Sequence, residues 1–402
     1  MHEQLTRREA LVAALAAATL GGGVLLRPAS ARAATATARI GVIMPLSKSD
    51  DSVGGGNVLK TAQLWRDWIN SHGGVDGQRV ELRVYDDMGN PDRGVQHVVR
   101  AVNHDHCSVI LAGWASSTAQ AESDEAHALG IPMFVAYAWS VDVTKSNYPE
   151  VVRIGPNNDM LSNAFAPFFK KRDYRHVAII ADDTAFAQGL GGTIRATSVT
   201  AGIDMSAHTF KRDARDLKPA LKTLLASKPD ALVITANPFI PTRYSAITQA
   251  RDVGFKGDIV LGWDYLNDAF WKATGKDGVG VIWPTFSPPT LHLTSAGTAF
   301  KKLFTKRYKR APQFYQALTW DQLNAWKWAV DTVGSTAPSE VVPALPRIDM
   351  QGTTGHITLS NQPGTLHFNQ WEGVTVYFDQ ATKQGATDSN AKVLAGIKHS
   401  TA

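Results

Sequence analysis

The chain of 402 residues is 44% hydrophobic and 19% charged with a formal net charge of +5, so apolar material for a large core is ample, while the charge is too mild and too dispersed for nucleic-acid binding. The length favours two lobes over one. The only cysteine, Cys107, excludes an intrachain disulfide, so packing and hydrogen bonding must hold the fold.

Arg7 and Arg8 precede an alanine-rich apolar run from Ala10 to Leu26, and Ala31-Arg32-Ala33 supplies small residues at the spacing of a cleavage site. Residues 1–33 read as an export signal cut near Ala33, because a run padded with Ala, Thr and Gly21 to Gly23 is too weakly apolar for a membrane anchor. The arginine pair resembles a twin-arginine signal, although Ala10 stands where that pattern prefers a bulky apolar residue. The basic head of an ordinary secretory signal is the other reading. Arg7, Arg8, Arg27, Arg32, Glu3 and Glu9 leave with the segment, which lowers the net charge from +5 to +3. No cysteine adjoins the cut to carry a lipid, so a soluble periplasmic protein is expected.

From Arg39 onward, β-branched runs alternate with amphipathic stretches, the pattern of parallel strands joined by covering helices. "RIGVIMPL" is the first strand; Val58, Ala62, Trp65 and Ile69 then share a helical face, and "HGG" at 72–74 stops that helix. "RVELRVYDD" alternates as a strand, a helix follows through Val95, Val98, Val99 and Val102, and "SVILAG", a helix from about Ser117 to Leu129, and "IPMFVAY" complete this half. After "RIGPNND", with Asn158 as a helix cap, the rhythm restarts with "HVAIIADD", a helical stripe at Leu217, Leu221 and Leu224, and the strands "ALVITAN", "DIVLGW" and "GVGVIWP". Helices around 295–308 and 318–333 precede two short strands, "GHITLS" and "GVTVYFD".

The stretch "VILAGWASSTAQAES" ends a buried strand and turns into a helix through two serines and a threonine. At the mouth of a parallel sheet such a turn offers N–H groups and hydroxyls to an anion; equally, Ser116 or Ser117 can serve as an ordinary helix cap. Trp114, Tyr137, Trp139, Phe186, Phe239, Trp263 and Tyr265 all fall at or just after strand ends, which suggests an aromatic wall beside that turn. Asp264 reads either as a ligand contact or as a solvated strand-end carboxylate.

The sequence contains no phosphate loop, no H-E-x-x-H metal helix and no G-x-S-x-G nucleophile elbow, which lowers the expectation of an enzyme. His97, His104, His106 and Cys107 are of metal-ligand type but straddle a helix end and a strand start, where such residues usually serve structure. Neither a metal nor a cofactor is expected.

"IGVIMPLS", "INSHGGVDGQRVELRVYDDMGNPDRGVQ", "SSTAQAES", "GIPMF", "DDTAFAQGL" and "ITQARDVGF", in this order over most of the chain, resemble the leucine/isoleucine/valine-binding family of periplasmic solute-binding proteins, the receptors of ABC importers. The resemblance implies an α/β fold of two doubly wound, Rossmann-like lobes joined by three crossovers, with a ligand cleft between them. It places lobe 1 at 38–155 plus 284–365 and lobe 2 at 156–283 plus 366–402, with hinges near Gly155-Pro156 and Trp283-Pro284.

Carried over by position, the resemblance implies Ser116, with Ser117, on a ligand carboxylate beside Ala138 and Trp139; Tyr137 belongs to the same strand end. It sets Trp114 along the ligand side chain, Phe186 and Phe239 on the opposing lobe, and Asp264 on an ammonium. Departures accompany it: Phe186 and Phe239 where Tyr can stand, Gly54 where Trp can stand, and Gly89 and Ala115 in place of two cysteines of some members. The implied function is a monomeric, non-catalytic receptor for a small carboxylate, an aromatic or bulky amino acid, delivered to an inner-membrane ABC permease. An amine-free aromatic acid or an amide as ligand, or a sensor role toward a membrane receptor, is the runner-up.

Overall fold

The computed structural model describes residues 37–237, 242–263, 266–286, 291–360, 364, 367–371, 373–387 and 390–398. The segment 1–33 read as an export signal, Phe239, Asp264 and Tyr265 lie outside these residues.

The first sheet is built by β1 (Thr37–Met44), β2 (Arg79–Asp86), β3 (Val109–Ala112), β4 (Met133–Val135) and β5 (Val151–Val152), in the order β2-β1-β3-β4-β5. Every pairing is parallel, as crossover helices require: α1 (Ser52–Asn70), α2 (Pro91–Asn103) and α3 (Ser116–Leu129) link the strands. The stripe Val58, Ala62, Trp65 and Ile69 is the buried face of α1, as its spacing predicts. α2 begins where Asn90 accepts a hydrogen bond from the Arg93 N–H and Pro91 supplies the preset first turn.

The chain then passes through α4 (Asn158–Ser162) and α5 (Phe165–Lys171) to a second parallel set: β6 (His176–Asp182), α6 (Ala185–Thr200), β7 (Asp204–Phe210), α7 (Lys218–Leu225), β8 (Ala231–Thr235), α8 (Thr242–Asp252), β9 (Asp258–Leu261), α9 (Asp268–Thr274) and β10 (Ile282–Thr285). It returns through α10 (Ser295–Tyr308), α11 (Phe314–Val333), α12 (Pro338–Val341) and the hairpin β11 (Asp349–Gln351) with β12 (His356–Thr358). α11 packs on the first unit: the Trp65 indole N–H donates to Asn324, and the Gln322 amide donates to the Ala136 and Ile154 carbonyls. A third passage delivers β13 (Thr375–Gln380) and β14 (Lys392–Lys398) to the second sheet, where β13 pairs antiparallel with β10 and β14 antiparallel with β13, and the order is β14-β13-β10-β9-β8-β6-β7. The architecture is therefore α/β, with two doubly wound sheets and three chain passages between them.

Several boundaries differ from the sequence expectation. Asn157, not Asn158, is the cap of α4, accepting from the Met160 N–H. α11 starts at Phe314 rather than 318, because the Gln313 and Gln316 side chains close a reciprocal capping box there. Leu217 precedes α7 instead of joining it, yet is buried. β7 escapes a reading by hydrophobic runs because it is an edge strand with exposed Asp204, Ala207, His208 and Thr209. Trp283-Pro284, expected at a hinge, lies inside β10, so the passage back to the first unit begins after Thr285.

Candidate functional site

Both sheets follow the order in which the second strand sits outside the first and the third continues on its other side. Their switch points fall between β1 and β3 and between β6 and β8. At such points the loops leaving the strands diverge and open a crevice beyond the carboxyl ends. A cavity of about 910 Å³ lies there, at the upper end of small-ligand sites. The first unit contributes Lys48 to Asp51 after β1, Met88 and Gly89 after β2, Trp114 to Ser117 after β3, and Tyr137 to Trp139 after β4; the second contributes Asp183 to Phe186 after β6, Arg212 after β7 and Asn237 after β8.

Seven of the nine residues singled out from sequence line this cavity: Trp114, Ser116, Ser117, Tyr137, Ala138, Trp139 and Phe186. Phe239 and Asp264 lie outside the described residues. Sequence reasoning passed over Lys48, Asp50, Asp51, Asp183, Arg212 and Asn237, whose polar character reads as solvated loop. Their position directly after strands was the signal that could have found them.

The β3–α3 turn requires Gly113, whose φ of +77° is left-handed and where an added Cβ would stand 3.0 Å from the Ala119 methyl. The cap position of α3 is Ala115, without a side-chain cap bond, and the first helical hydrogen bond runs from the Ala119 N–H to the Ala115 carbonyl. The cap reading of Ser116 and Ser117 therefore falls away. Ser116 is buried, its Oγ accepting from the Ser140 N–H at 3.3 Å, which ties the β3 turn to the β4 strand end; Ser117 is exposed into the cavity. On the opposite side α6 also presents its N-terminus, with Thr184 capping the Ala187 N–H. Neither first turn carries an acidic residue, so two positive helix ends face one cavity.

The aromatic residues form a connected wall. Trp114 stacks on Tyr137 at 4.4 Å and 16°, Tyr137 meets Trp139 at 5.0 Å, and Trp139 meets Phe186 edge-on at 6.0 Å. Trp263 lies behind the wall, its indole N–H donating to the Tyr137 hydroxyl at 2.6 Å. Gly54 explains the position of Trp114: a Cβ there would stand 2.0 Å from Trp114 Cζ2, so the missing side chain on α1 is the space the indole occupies.

Acids and bases ring the mouth. Arg212 pairs with Asp50 at 3.3 Å, and the Asn237 amide donates to Asp51 at 3.1 Å, so loops of the two units meet across the cavity. Burial pushes the Asp51 carboxyl above its ordinary value, opposed by the hydrogen bond from Asn237, the charge of Arg212 and a hydrogen bond from Trp114. Asp182 holds the β6 edge in place by accepting from the N–H and hydroxyl of Thr184 and the N–H of Asn237. Beneath the β3 turn, the wholly buried Glu122 accepts from the Gly113 N–H at 2.9 Å, and burial raises its pKa well above the carboxylate range.

The histidine and cysteine group does not assemble. His97 stacks on Tyr85 and contacts the Asp86 carbonyl at 3.2 Å, Cys107 is buried, and among the described residues no three metal-ligand side chains converge.

A two-unit α/β protein with a crevice ringed by strand-end loops of both units is the architecture of a periplasmic binding protein. The profile described as periplasmic binding protein matches residues 37–392, and the chain belongs to that family, as a type I member of the Leu/Ile/Val-binding kind. It is 28% identical over 265 residues to the Leu/Ile/Val-binding protein BraC3 of Rhizobium johnstonii, covering 65% of this chain and 71% of that one. Among solved structures it resembles the leucine binding protein LivK of Thermotoga maritima, with a TM-score of 0.78, 19% identity and coverage of 90% and 99%. It also resembles an ABC transporter solute binding protein of R. palustris in complex with benzoate, with a TM-score of 0.76, 18% identity and coverage of 90% and 96%. No helix among the described residues is long and apolar enough to cross a membrane.

Proposed function

We propose that the protein is the periplasmic receptor of an ABC importer, closing around a small carboxylate and handing it to an inner-membrane permease without catalysing a reaction. The ligand class is an amino acid with an aromatic or bulky side chain. One observation carries this reading: the α3 N-terminus, with Ser116 and Ser117, opens into a cavity walled by Trp114, Tyr137, Trp139 and Phe186. First-turn N–H groups and hydroxyls suit a carboxylate, each such charge-assisted bond contributing ~1.5 to 3 kcal/mol, and stacked rings suit a planar or bulky body. The contacts Asp50 to Arg212 and Asp51 to Asn237 would then close the mouth over it.

A second reading, an amine-free aromatic acid, is favoured by the engagement of the three carboxylates that line the cavity among the described residues: Asp50 with Arg212, Asp51 with Asn237 and Asp183 with Lys211. Mass spectrometry of the ligand retained through gentle purification from the exporting cell, followed by calorimetry against phenylalanine, leucine, valine and benzoate, decides between them. Tight leucine or valine binding with no response to phenylalanine or benzoate overturns the aromatic assignment. The same preparation tests export: the mature chain is expected to begin near Ala34 in the soluble fraction, and an intact residue 1–33 segment in the membrane fraction refutes it.

A further inference from the structure

Arg153 follows β5 and is 1% exposed, one of the largest fully buried side chains of the protein. Its Nε donates to Gln370 Oε1 at 2.6 Å, Nη1 to the carbonyls of Ala138 at 3.0 Å and Ser140 at 2.8 Å, and Nη2 to the Thr144 hydroxyl at 2.7 Å. All four acceptors are neutral. A guanidinium taken out of water ordinarily meets a carboxylate, because hydrogen bonds to neutral groups leave its charge uncompensated. Here no carboxylate among the described residues pairs with it, and burial pushes its pKa down to about 9 with no acidic neighbour to oppose the shift.

The position of this charge is informative. Ala138 and Trp139 line the cavity, and one Nη1 grips the carbonyls on either side of Trp139, placing the cation a single residue layer behind the cavity wall. The Ser140 N–H of the same loop is the donor to Ser116 Oγ. The Trp139 N–H, between the two gripped carbonyls, donates to no acceptor among the described residues. Behind the guanidinium, Gln370 belongs to the third passage between the units, where the Arg153 and Trp371 backbones bond at 3.0 Å.

Resting on the carboxylate reading above, we propose that Arg153 is a positioning and specificity residue: its uncompensated charge is the buried counter-ion of the ligand anion, and its grip on the Ala138 and Ser140 carbonyls sets the loop that receives it. In a low-dielectric wall the charge acts through the intervening peptide without touching the ligand. The anion thereby completes a charge pair that the described residues around Arg153 do not supply, which selects an acid over its neutral isostere.

The test compares matched acid and amide probes, phenylalanine with phenylalaninamide and benzoate with benzamide, by calorimetry on the full mature chain. Two neutral replacements, Arg153→Gln, which keeps a donor for the carbonyls, and Arg153→Met, which keeps the apolar stem, cover the risk that either fails to fold. Arg153→Lys keeps the charge without the fork. The neutral variants are expected to lose about tenfold or more of the acid-over-amide preference, while Arg153→Lys retains it within about threefold and weakens both probes alike. Retention of the preference in a folded neutral variant, or its loss in Arg153→Lys, overturns the role of Arg153 and leaves the carboxylate reading standing. A wild-type protein that binds none of phenylalanine, leucine, valine and benzoate, or binds the matching amides as tightly, overturns the carboxylate reading and this inference with it.

Discussion

Replacing Ser116 with alanine removes a hydroxyl that accepts from the Ser140 N–H and, on the proposed reading, donates to the ligand carboxylate, and the two losses differ in magnitude. The Ser140 N–H loses its acceptor, but that bond is long at 3.3 Å and Ala115 already holds the cap position, so the stability loss should be about 1 kcal/mol, the low end for an unsatisfied buried donor. In a chain of this size that shifts the melting temperature by about 2 °C or less. A bound carboxylate loses a charge-assisted donor in a buried site, and affinity should fall by ~1.5 to 3 kcal/mol, roughly 10- to 150-fold. Calorimetric titration with the identified ligand, beside a thermal melt of the ligand-free protein, measures both. Unchanged affinity with a lowered melting temperature would refute the clamp and leave Ser116 as a tie between the β3 and β4 ends.

Gly54→Ala forces the Trp114 indole off a Cβ that would stand 2.0 Å away; overpacking of ~1 to 3 kcal/mol and disturbed stacking on Tyr137 should appear together as a lower melting temperature and weaker aromatic-ligand binding. Wild-type behaviour in both assays would mean that the ring has room to move. Asp264→Asn should weaken an amino-acid ligand by ~1.5 to 3 kcal/mol and leave its amine-free counterpart nearly unchanged; equal losses on the two ligands shift the assignment to the amine-free acid. Burial raises Asp87 to about 6 and Asp321 to about 7, so these two groups hold more protons in the native than in the unfolded state between pH 4 and 7, and their contribution to stability should fall as pH rises through that window. Asp321→Asn should remove that part of the pH dependence, so the denaturant midpoint of the wild type minus that of the variant should fall from pH 4 to 7, and a difference that rises with pH contradicts the sign.

Much of the protein was legible in local pattern. The β-branched run of β1 and the apolar face of α1 mark a buried strand and a covering helix, because burial on a parallel sheet demands apolar residues at those periods. Gly113 followed by "WASST" marks a turn at a strand's carboxyl end, and the strand-end rule by itself carries Ser116, Tyr137, Trp139 and Phe186 toward one crevice. Edge strands such as β7, half exposed and polar, leave no comparable trace. Which residues oppose each other across the crevice is a different kind of fact. Asp50 meets Arg212, Asp51 meets Asn237, and Arg153 grips carbonyls 13 and 15 residues away while binding Gln370, 217 residues on. Periodicity records only whether a position faces the core or solvent within its own element. The pairing of two elements, and whether a buried charge finds a counter-ion or waits for one, depends on how the sheets pack together, to which residues far apart in the chain contribute jointly.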